Sequence, residues 1–170
     1  MARRIHLSRA CASLMLAACL AGCGFHLRGS NGQFNLPFHS IYVAFPETSP
    51  LGAELKRNLR ANGETIIASA PEGAEAQFDV LAEARGESIL SLNSQGRVRE
   101  YQLSYSLTFR VRDAKGKEIL GPTEISLKRA FPFNETQVLA KEAQEVQLYR
   151  DMQSDLVQQI LRRLAAIKPA

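Results

Sequence analysis

A regular alternation of apolar and polar residues between positions 101 and 112 constrains the fold more than any other feature of the sequence. The odd-numbered positions from Tyr101 to Val111 are apolar or aromatic, and the even-numbered positions from Gln102 to Arg112 are polar. Because successive side chains of a β-strand point to opposite faces, this pattern predicts a long strand with one buried face. The other face is predicted to meet water or a partner.

Shorter patterns predict the remaining elements. Strands are expected at residues 41–45, 64–69, 77–92 and 118–133, the last interrupted at Gly121-Pro122. A first helix, capped by Thr48 or Ser49, is expected to end at Asn62-Gly63, and a second to run from about residue 135, capped by Asn134, to 166. We therefore expect an α+β two-layer sandwich, in which a small, mainly antiparallel sheet of about four strands carries two helices on one face, the C-terminal helix being long.

The first 22 residues are typical of a lipoprotein signal peptide. Three arginines precede an apolar run at residues 10–20, which ends in Leu20-Ala21-Gly22-Cys23. The run is about half of the ~20 residues needed to span a bilayer, which favours a cleaved signal over a membrane helix. We predict cleavage before Cys23 and attachment of S-diacylglycerol and N-palmitoyl groups to it, with the number of acyl chains left open. The alternative is an ordinary secretion signal that happens to contain a cysteine.

This prediction divides the chain into a signal peptide (1–22), a lipidated N-terminus and tether (23–40) and an α+β domain (41–168). Three of the 21 Lys and Arg residues lie in the signal, so 18 remain against 17 Asp and Glu, a formal net charge of +1. This balance removes the support that overall basicity would lend to nucleic-acid binding. Two of the three cysteines also leave with the signal, and Cys23 is used for the lipid.

Residues suited to catalysis or metal binding are sparse. After cleavage only His26 and His39 remain, and neither a Gly-x-Ser-x-Gly motif nor a phosphate-binding glycine loop occurs. The carboxylates of the last helix are interspersed with Lys and Arg, as on a solvated helix face. We therefore predict a protein that is not an enzyme and uses no cofactor or metal, with an envelope hydrolase as an alternative.

Basic residues are better placed for binding. Arg97 and Arg99 follow the predicted turn at 93–96, and further cations lie on the strands and the last helix: Arg85, Arg110, Arg112, Lys128, Arg129 and Lys141. Arginine forms bidentate hydrogen bonds with phosphate, and lysine supplies a point charge. Gathered at one end of a sheet, such residues could hold an anionic glycolipid. The alternative is that they are solvated surface residues.

Four stretches together resemble one protein family. They are Cys23-Gly24-Phe25-His26-Leu27-Arg28-Gly29, then Gly96 with Glu100-Tyr101-Gln102, then Arg129-Ala130-Phe131 and finally Leu139-Ala140-Lys141. In this order they are similar to LptE, the lipopolysaccharide-assembly lipoproteins of Gram-negative outer membranes. The similarity covers most of the chain after Cys23.

The resemblance implies a non-catalytic subunit held in the inner leaflet of the outer membrane. Such proteins plug the β-barrel of LptD, assist its assembly and bind lipopolysaccharide. Gly24, where retained inner-membrane lipoproteins carry Asp, also implies the outer membrane. The family's lipopolysaccharide-binding lysine corresponds to Lys141, and its second basic position is Ser94 here, so Arg97 or Arg99 is the candidate for the second contact. A lipid-anchored scaffold of another outer-membrane complex is the alternative.

Overall fold

The computed structural model describes residues 34–63, 65–134 and 138–168, of which positions 138 and 139 are described by their backbone alone. The predicted signal peptide and Cys23 lie outside the described residues. The elements in chain order are β1 (Ser40–Ala44), α1 (Pro50–Ala61), β2 (Ile66–Ala68), β3 (Ala76–Leu92), β4 (Val98–Asp113), β5 (Glu118–Pro132) and α2 (Val138–Ala165).

The strands form one five-stranded sheet in the order β2-β1-β3-β4-β5. Strand β1 pairs in parallel with β2 and β3, whereas β3–β4 and β4–β5 are antiparallel hairpins. The α+β class with two helices and a long C-terminal one is confirmed. The sheet has one strand more than the expected count of about four, and the strand expected at 64–69 is present as the three-residue β2.

Strand β4 shows the one-sided burial that its alternation predicts. The side chains of Leu103, Tyr105, Leu107, Phe109 and Val111 are fully buried, while the residues between them are partly exposed. The residues of β3 and β5 that are buried, Ala76, Phe78, Ile125 and Phe131, all pair with odd-numbered positions of β4. The core therefore lies on one side of the sheet.

Helix α1 begins at the predicted position and covers this core. The Ser49 hydroxyl accepts a hydrogen bond from the Gly52 amide at 3.1 Å, and Pro50 occupies the first turn, where its missing N–H is harmless. Leu51, Leu55 and Leu59 are fully buried. A Cβ on Gly52 would lie 2.5 Å from the Cβ of Phe45, so glycine is required for this close packing of helix on β1.

Helix α2 is 28 residues long and has two different halves. Its C-terminal half packs through Met152, Leu156, Ile160 and Leu164, all fully buried. Its N-terminal half, up to Arg150, has only partly buried or exposed described side chains. The predicted start near residue 135 lies outside the described residues, and the predicted end is one residue from the observed one. Neither helix of the described part combines the length and hydropathy that crossing a bilayer demands.

The segment before β1 is tied to the domain. Leu36 and Phe38 lie in the core cluster, and the Asn62 side chain exchanges two 2.6 Å hydrogen bonds with the backbone N–H and C=O of Phe34. This segment overlaps the last part of the predicted tether, whose residues 23–33 lie outside the described part. The boundary at residue 40 stays a prediction.

The predicted interruption at Gly121-Pro122 is an irregularity in a continuous strand. Phe109 pairs with Thr123 and Val111 pairs with Leu120, so Gly121 and Pro122 together face one residue of β4. Proline has no N–H for the ladder, and an edge strand tolerates this because one side of its backbone has no partner strand. β5 therefore bends there without ending.

One-sided burial of β4 makes a stability prediction. Leu107→Ala should lower the free energy of unfolding by about 2–5 kcal/mol, because it removes buried methyl groups and leaves a cavity. The matched change Ser106→Ala, one residue away on the open face, should cost less than about 0.5 kcal/mol. Urea unfolding followed by circular dichroism measures both, and equal losses would contradict the assignment of the two faces.

Candidate functional site

Lys141, the cation to which the family resemblance points, lies in the first turn of α2 and contacts β3. Its Nζ donates hydrogen bonds to both carboxylate oxygens of Glu87, at 3.0 and 2.9 Å. A second carboxylate, that of Glu145, lies 3.7 Å away one helical turn further on. The ammonium group is therefore held by one strong ion pair and a weaker one.

An aromatic cluster formed by Tyr101, Phe131 and Phe133 lies beneath this lysine. The Nζ of Lys141 is 4.4 Å from the centroid of the Tyr101 ring, a cation–π distance. The Tyr101 ring in turn stacks on Phe131 at 5.8 Å and meets Phe133 edge-on at 5.2 Å. The Lys141 ammonium group therefore contacts the Tyr101 ring, which is held in place by its packing against Phe131 and Phe133.

The register of the sheet explains why Glu87 faces the helix. Glu87 pairs with Leu103, whose side chain is fully buried beneath α2, and directly paired residues project from the same face. In this half of β3 the helix-facing positions include Glu83, Arg85 and Glu87 where a core strand would carry apolar residues. Charged contacts therefore join α2 to this part of the sheet.

The site keeps its lysine charged. The hydrogen bond that Lys141 donates to Glu87 is the main cause that raises the pKa of Lys141 above its ordinary value, and burial opposes this effect. The side chains of Lys141 and Glu87 are 20% and 29% exposed. Because both are partly withdrawn from water, their attraction is screened less than that of a pair on the open surface.

A second polar network lies next to Glu87 on the same face of the sheet, around Arg85, two residues earlier in β3. The Arg85 guanidinium stacks over the Tyr105 ring at 4.3 Å and donates to the Tyr105 hydroxyl at 2.9 Å. That hydroxyl donates to Glu83 at 2.6 Å. Burial, followed by the hydrogen bond to Glu83, raises the pKa of Tyr105 to about 12. The Tyr149 hydroxyl, from α2, donates to the Gly86 carbonyl at 3.0 Å.

The structure places the other two predicted site residues at the same end of the sheet as Lys141. Arg97 ends the β3–β4 turn, where its backbone N–H and C=O both bond to Asn93. Arg99 is the second residue of β4, two positions before Tyr101, and both arginines are exposed. Two residues of a strand span roughly 7 Å, so Arg99 begins close to the ring on which Lys141 rests.

The remaining cations are dispersed. Arg110 and Arg112, at the opposite end of β4, both donate to Asp79, at 3.0 and 2.6 Å. The hydrogen bond from Arg112 is the main cause that lowers the pKa of Asp79. Arg129 pairs with Asp155 of α2 at 2.6 Å. The expectation that all of these arginines share one end of the sheet with Arg97 was wrong for Arg110 and Arg112, because β4 is long enough to separate its two ends. Arg129 pairs with Leu103 and lies nearer to the end that holds Tyr101.

Sequence reasoning missed Glu87 and Glu145. The spacing of Glu145 four residues after Lys141 is a helix signal that could have found the second of these. Glu87 lies 54 positions from Lys141, and only the fold brings the two together. Among the described residues, no three of His, Cys, Asp and Glu are grouped as a metal ion would require. His26 lies outside that part of the chain.

Comparison with known families finds one match over most of the domain. Residues 38–164 match the family model described as LptE, lipopolysaccharide-assembly. A protein of Pectobacterium atrosepticum named LPS-assembly lipoprotein LptE is 28% identical over 148 residues, which is 86% of this chain and 79% of the relative. The protein of the same name from Yersinia pestis is 27% identical over 88% of this chain and 72% of its own length.

Solved structures of lipoproteins have the same fold. An uncharacterized lipoprotein B from Nitrosomonas europaea aligns with a TM-score of 0.72 and 40% identity, over 84% of this chain and 91% of that one. A minor lipoprotein from Acinetobacter baumannii aligns with a TM-score of 0.63 and 26% identity, over 78% and 94% of the two chains. The arrangement of sheet and helices is therefore shared with lipoproteins of known structure.

The environment of Tyr105 predicts how stability changes in alkali. A pKa of about 12 in the folded protein against about 10 in the unfolded chain means that the folded state holds the proton more tightly. The protonated Tyr105 hydroxyl therefore contributes to the free energy of unfolding in full below pH 10, and this contribution is lost as the pH rises towards 12. Tyr105→Phe should therefore reduce the fall in unfolding free energy between pH 10 and 12, measured by urea unfolding. An unchanged fall in the variant would contradict the assignment.

Proposed function

We propose, from the premise that this chain belongs to the LptE family of lipopolysaccharide-assembly proteins, that it acts with the β-barrel protein LptD in the outer membrane. In this role it is a lipoprotein that plugs the barrel, assists barrel assembly and binds lipopolysaccharide on its way to the cell surface. The match of the family model to residues 38–164 carries the proposal. It is supported by relatives named LPS-assembly lipoproteins and by the predicted lipoprotein signal at residues 1–22, directly before Cys23.

The open face of the sheet suits a plug. On this face, the even-numbered residues of β4 from 102 to 108 are Gln, Ser, Ser and Thr. They pair in that order with Ser88, Gly86, Ala84 and Ala82 of β3. Small polar side chains make a smooth surface that can lie close to the polar inner wall of a barrel, where water and polar side chains replace lipid. The core is on the other face, so contact with a barrel here requires no unfolding of the domain.

The proposed lipopolysaccharide contact is Lys141, assisted by Arg97 or Arg99. All three lie at the β3–β4 turn end of the sheet. A lysine ammonium binds phosphate as a point charge, and an exposed arginine adds bidentate hydrogen bonds. Tyr101 and Phe133 of the aromatic cluster are half-buried and offer apolar surface to a ligand that is both anionic and fatty. No step of this role needs a catalytic group or a cofactor.

Depletion of the protein in its native host tests the role. Lipopolysaccharide at the cell surface should fall, and the partner barrel should be depleted from the outer membrane. Affinity purification from detergent-solubilised outer membranes should recover LptD as the dominant barrel. Normal surface lipopolysaccharide after depletion would overturn the proposal, and recovery of a different barrel would favour a scaffold of another complex.

Lys141→Asp tests the ligand contact. The change removes the cation and places a third carboxylate beside Glu87 and Glu145, so affinity for purified lipopolysaccharide should fall about tenfold or more. Lys115→Asp, in the β4–β5 turn at the other end of the sheet, is the matched control and should bind normally. Thermal unfolding by circular dichroism checks that both variants fold. Equal affinity of the Lys141 variant and the wild type would show that this contact is absent.

A further inference from the structure

The binding capacity of Lys141 is already in use within the molecule. A lysine ammonium has three N–H donors and no acceptor. Two hydrogen bonds run to the two carboxylate oxygens of Glu87, at 3.0 and 2.9 Å. A carboxylate is the same kind of ligand as a phosphate for this group, planar rather than tetrahedral but equally an oxygen anion. Glu87 therefore occupies the position that an incoming phosphate would need.

The local charge opposes an incoming anion while Glu87 is in place. Lys141 faces Glu87 and, at 3.7 Å, Glu145, so one positive group stands among two negative ones. These three groups carry a net charge of −1, which opposes a phosphate at Lys141 itself even though Arg99 lies nearby. The charge balance becomes favourable only when the carboxylate of Glu87 leaves the ammonium group for water, which its 29% exposure allows.

We propose that Glu87 is an internal counter-ion that competes with phosphate groups for Lys141 and thereby sets which anionic lipids this site accepts. The inference rests on the proposed lipopolysaccharide contact at Lys141, and it adds a residue that regulates this contact. Exchange of one carboxylate for another gains nothing, whereas a phosphate monoester carries about −1.5 to −2 charge and three acceptor oxygens. The site therefore selects phosphorylated amphiphiles over fatty acids and other carboxylated ones.

The lysine keeps its place during the exchange. Its ammonium lies 4.4 Å from the centre of the Tyr101 ring, and that ring is fixed by Phe131 and Phe133. These contacts do not involve Glu87. When the carboxylate departs, the cation remains on the aromatic cluster and faces outward, so only one side chain has to move.

Glu87→Gln tests the competition, because it removes the charge and keeps the shape. The purified, lipidated protein should bind rough lipopolysaccharide about fivefold more tightly than wild type. Its preference for lipopolysaccharide over the dephosphorylated form should also grow, because only the phosphorylated ligand gains from the freed lysine. Asp155→Asn is the matched control, since Asp155 also joins α2 to a sheet cation, Arg129, at 2.6 Å but away from Lys141. That variant should bind as wild type does.

The possible outcomes distinguish a failure of the competition by Glu87 from a failure of the proposed lipopolysaccharide contact at Lys141. If Lys141→Gln binds lipopolysaccharide as wild type does, the proposed contact itself fails. If Lys141→Gln weakens binding but Glu87→Gln leaves it equal or weaker, the contact stands and the competition is overturned. In a Lys141→Gln background, Glu87→Gln should give no gain, since the effect acts through the lysine. A full gain in that background would also overturn the competition.

A measurement on the wild-type protein avoids any effect of the substitution on folding. Carbodiimide with glycine ethyl ester labels accessible carboxylates, and mass spectrometry locates the label. Addition of lipopolysaccharide should increase labelling of Glu87, because its partner is taken by phosphate, and should leave Asp155 unchanged. Unchanged or reduced labelling of Glu87 in the saturated complex would overturn the exchange.

Discussion

One-sided burial of β4 is the constraint on which the rest of the structure depends. Five alternate side chains from Leu103 to Val111 have to leave water, and a single sheet cannot cover its own face. Helices α1 and α2 both pack on that face and are joined to each other through hydrogen bonds from Gln153 and Ser154 to Glu54. The opposite face is mainly polar along residues 102–112 of β4, and neither helix packs on it.

The two halves of α2 are held by different forces, and this places the candidate site. The C-terminal half is fixed by an apolar core. The N-terminal half contacts Arg85, Gly86 and Glu87 on β3 through a cation–π contact, a hydrogen bond and an ion pair. Polar contacts of this kind exchange with water and ligands more readily than close-packed apolar ones. The cation that the family resemblance singles out is found in the half where a ligand can compete.

The periodicity of the sequence predicts most of the fold but little of the candidate site. The alternation in β4, the leucines of α1 and the Ser49 cap are local signals, and each led to the observed element. The parallel pairing of β2 beside β1 and the pairing of Glu87 with Lys141 have no such signal, because they depend on which elements become neighbours. The resemblance supplied Lys141 itself, but neither pattern nor resemblance indicated that a carboxylate already holds it.

Attachment of lipid to Cys23 decides whether this domain works at a membrane. The proposed role holds the domain at the membrane through this anchor. Intact-mass spectrometry of the protein purified in detergent from native envelopes tests it most directly. We expect a chain that begins at Cys23 and carries a diacylglycerol thioether and an amide-linked palmitoyl group. A chain that retains its first 22 residues, or that begins with an unmodified thiol, would contradict the assignment.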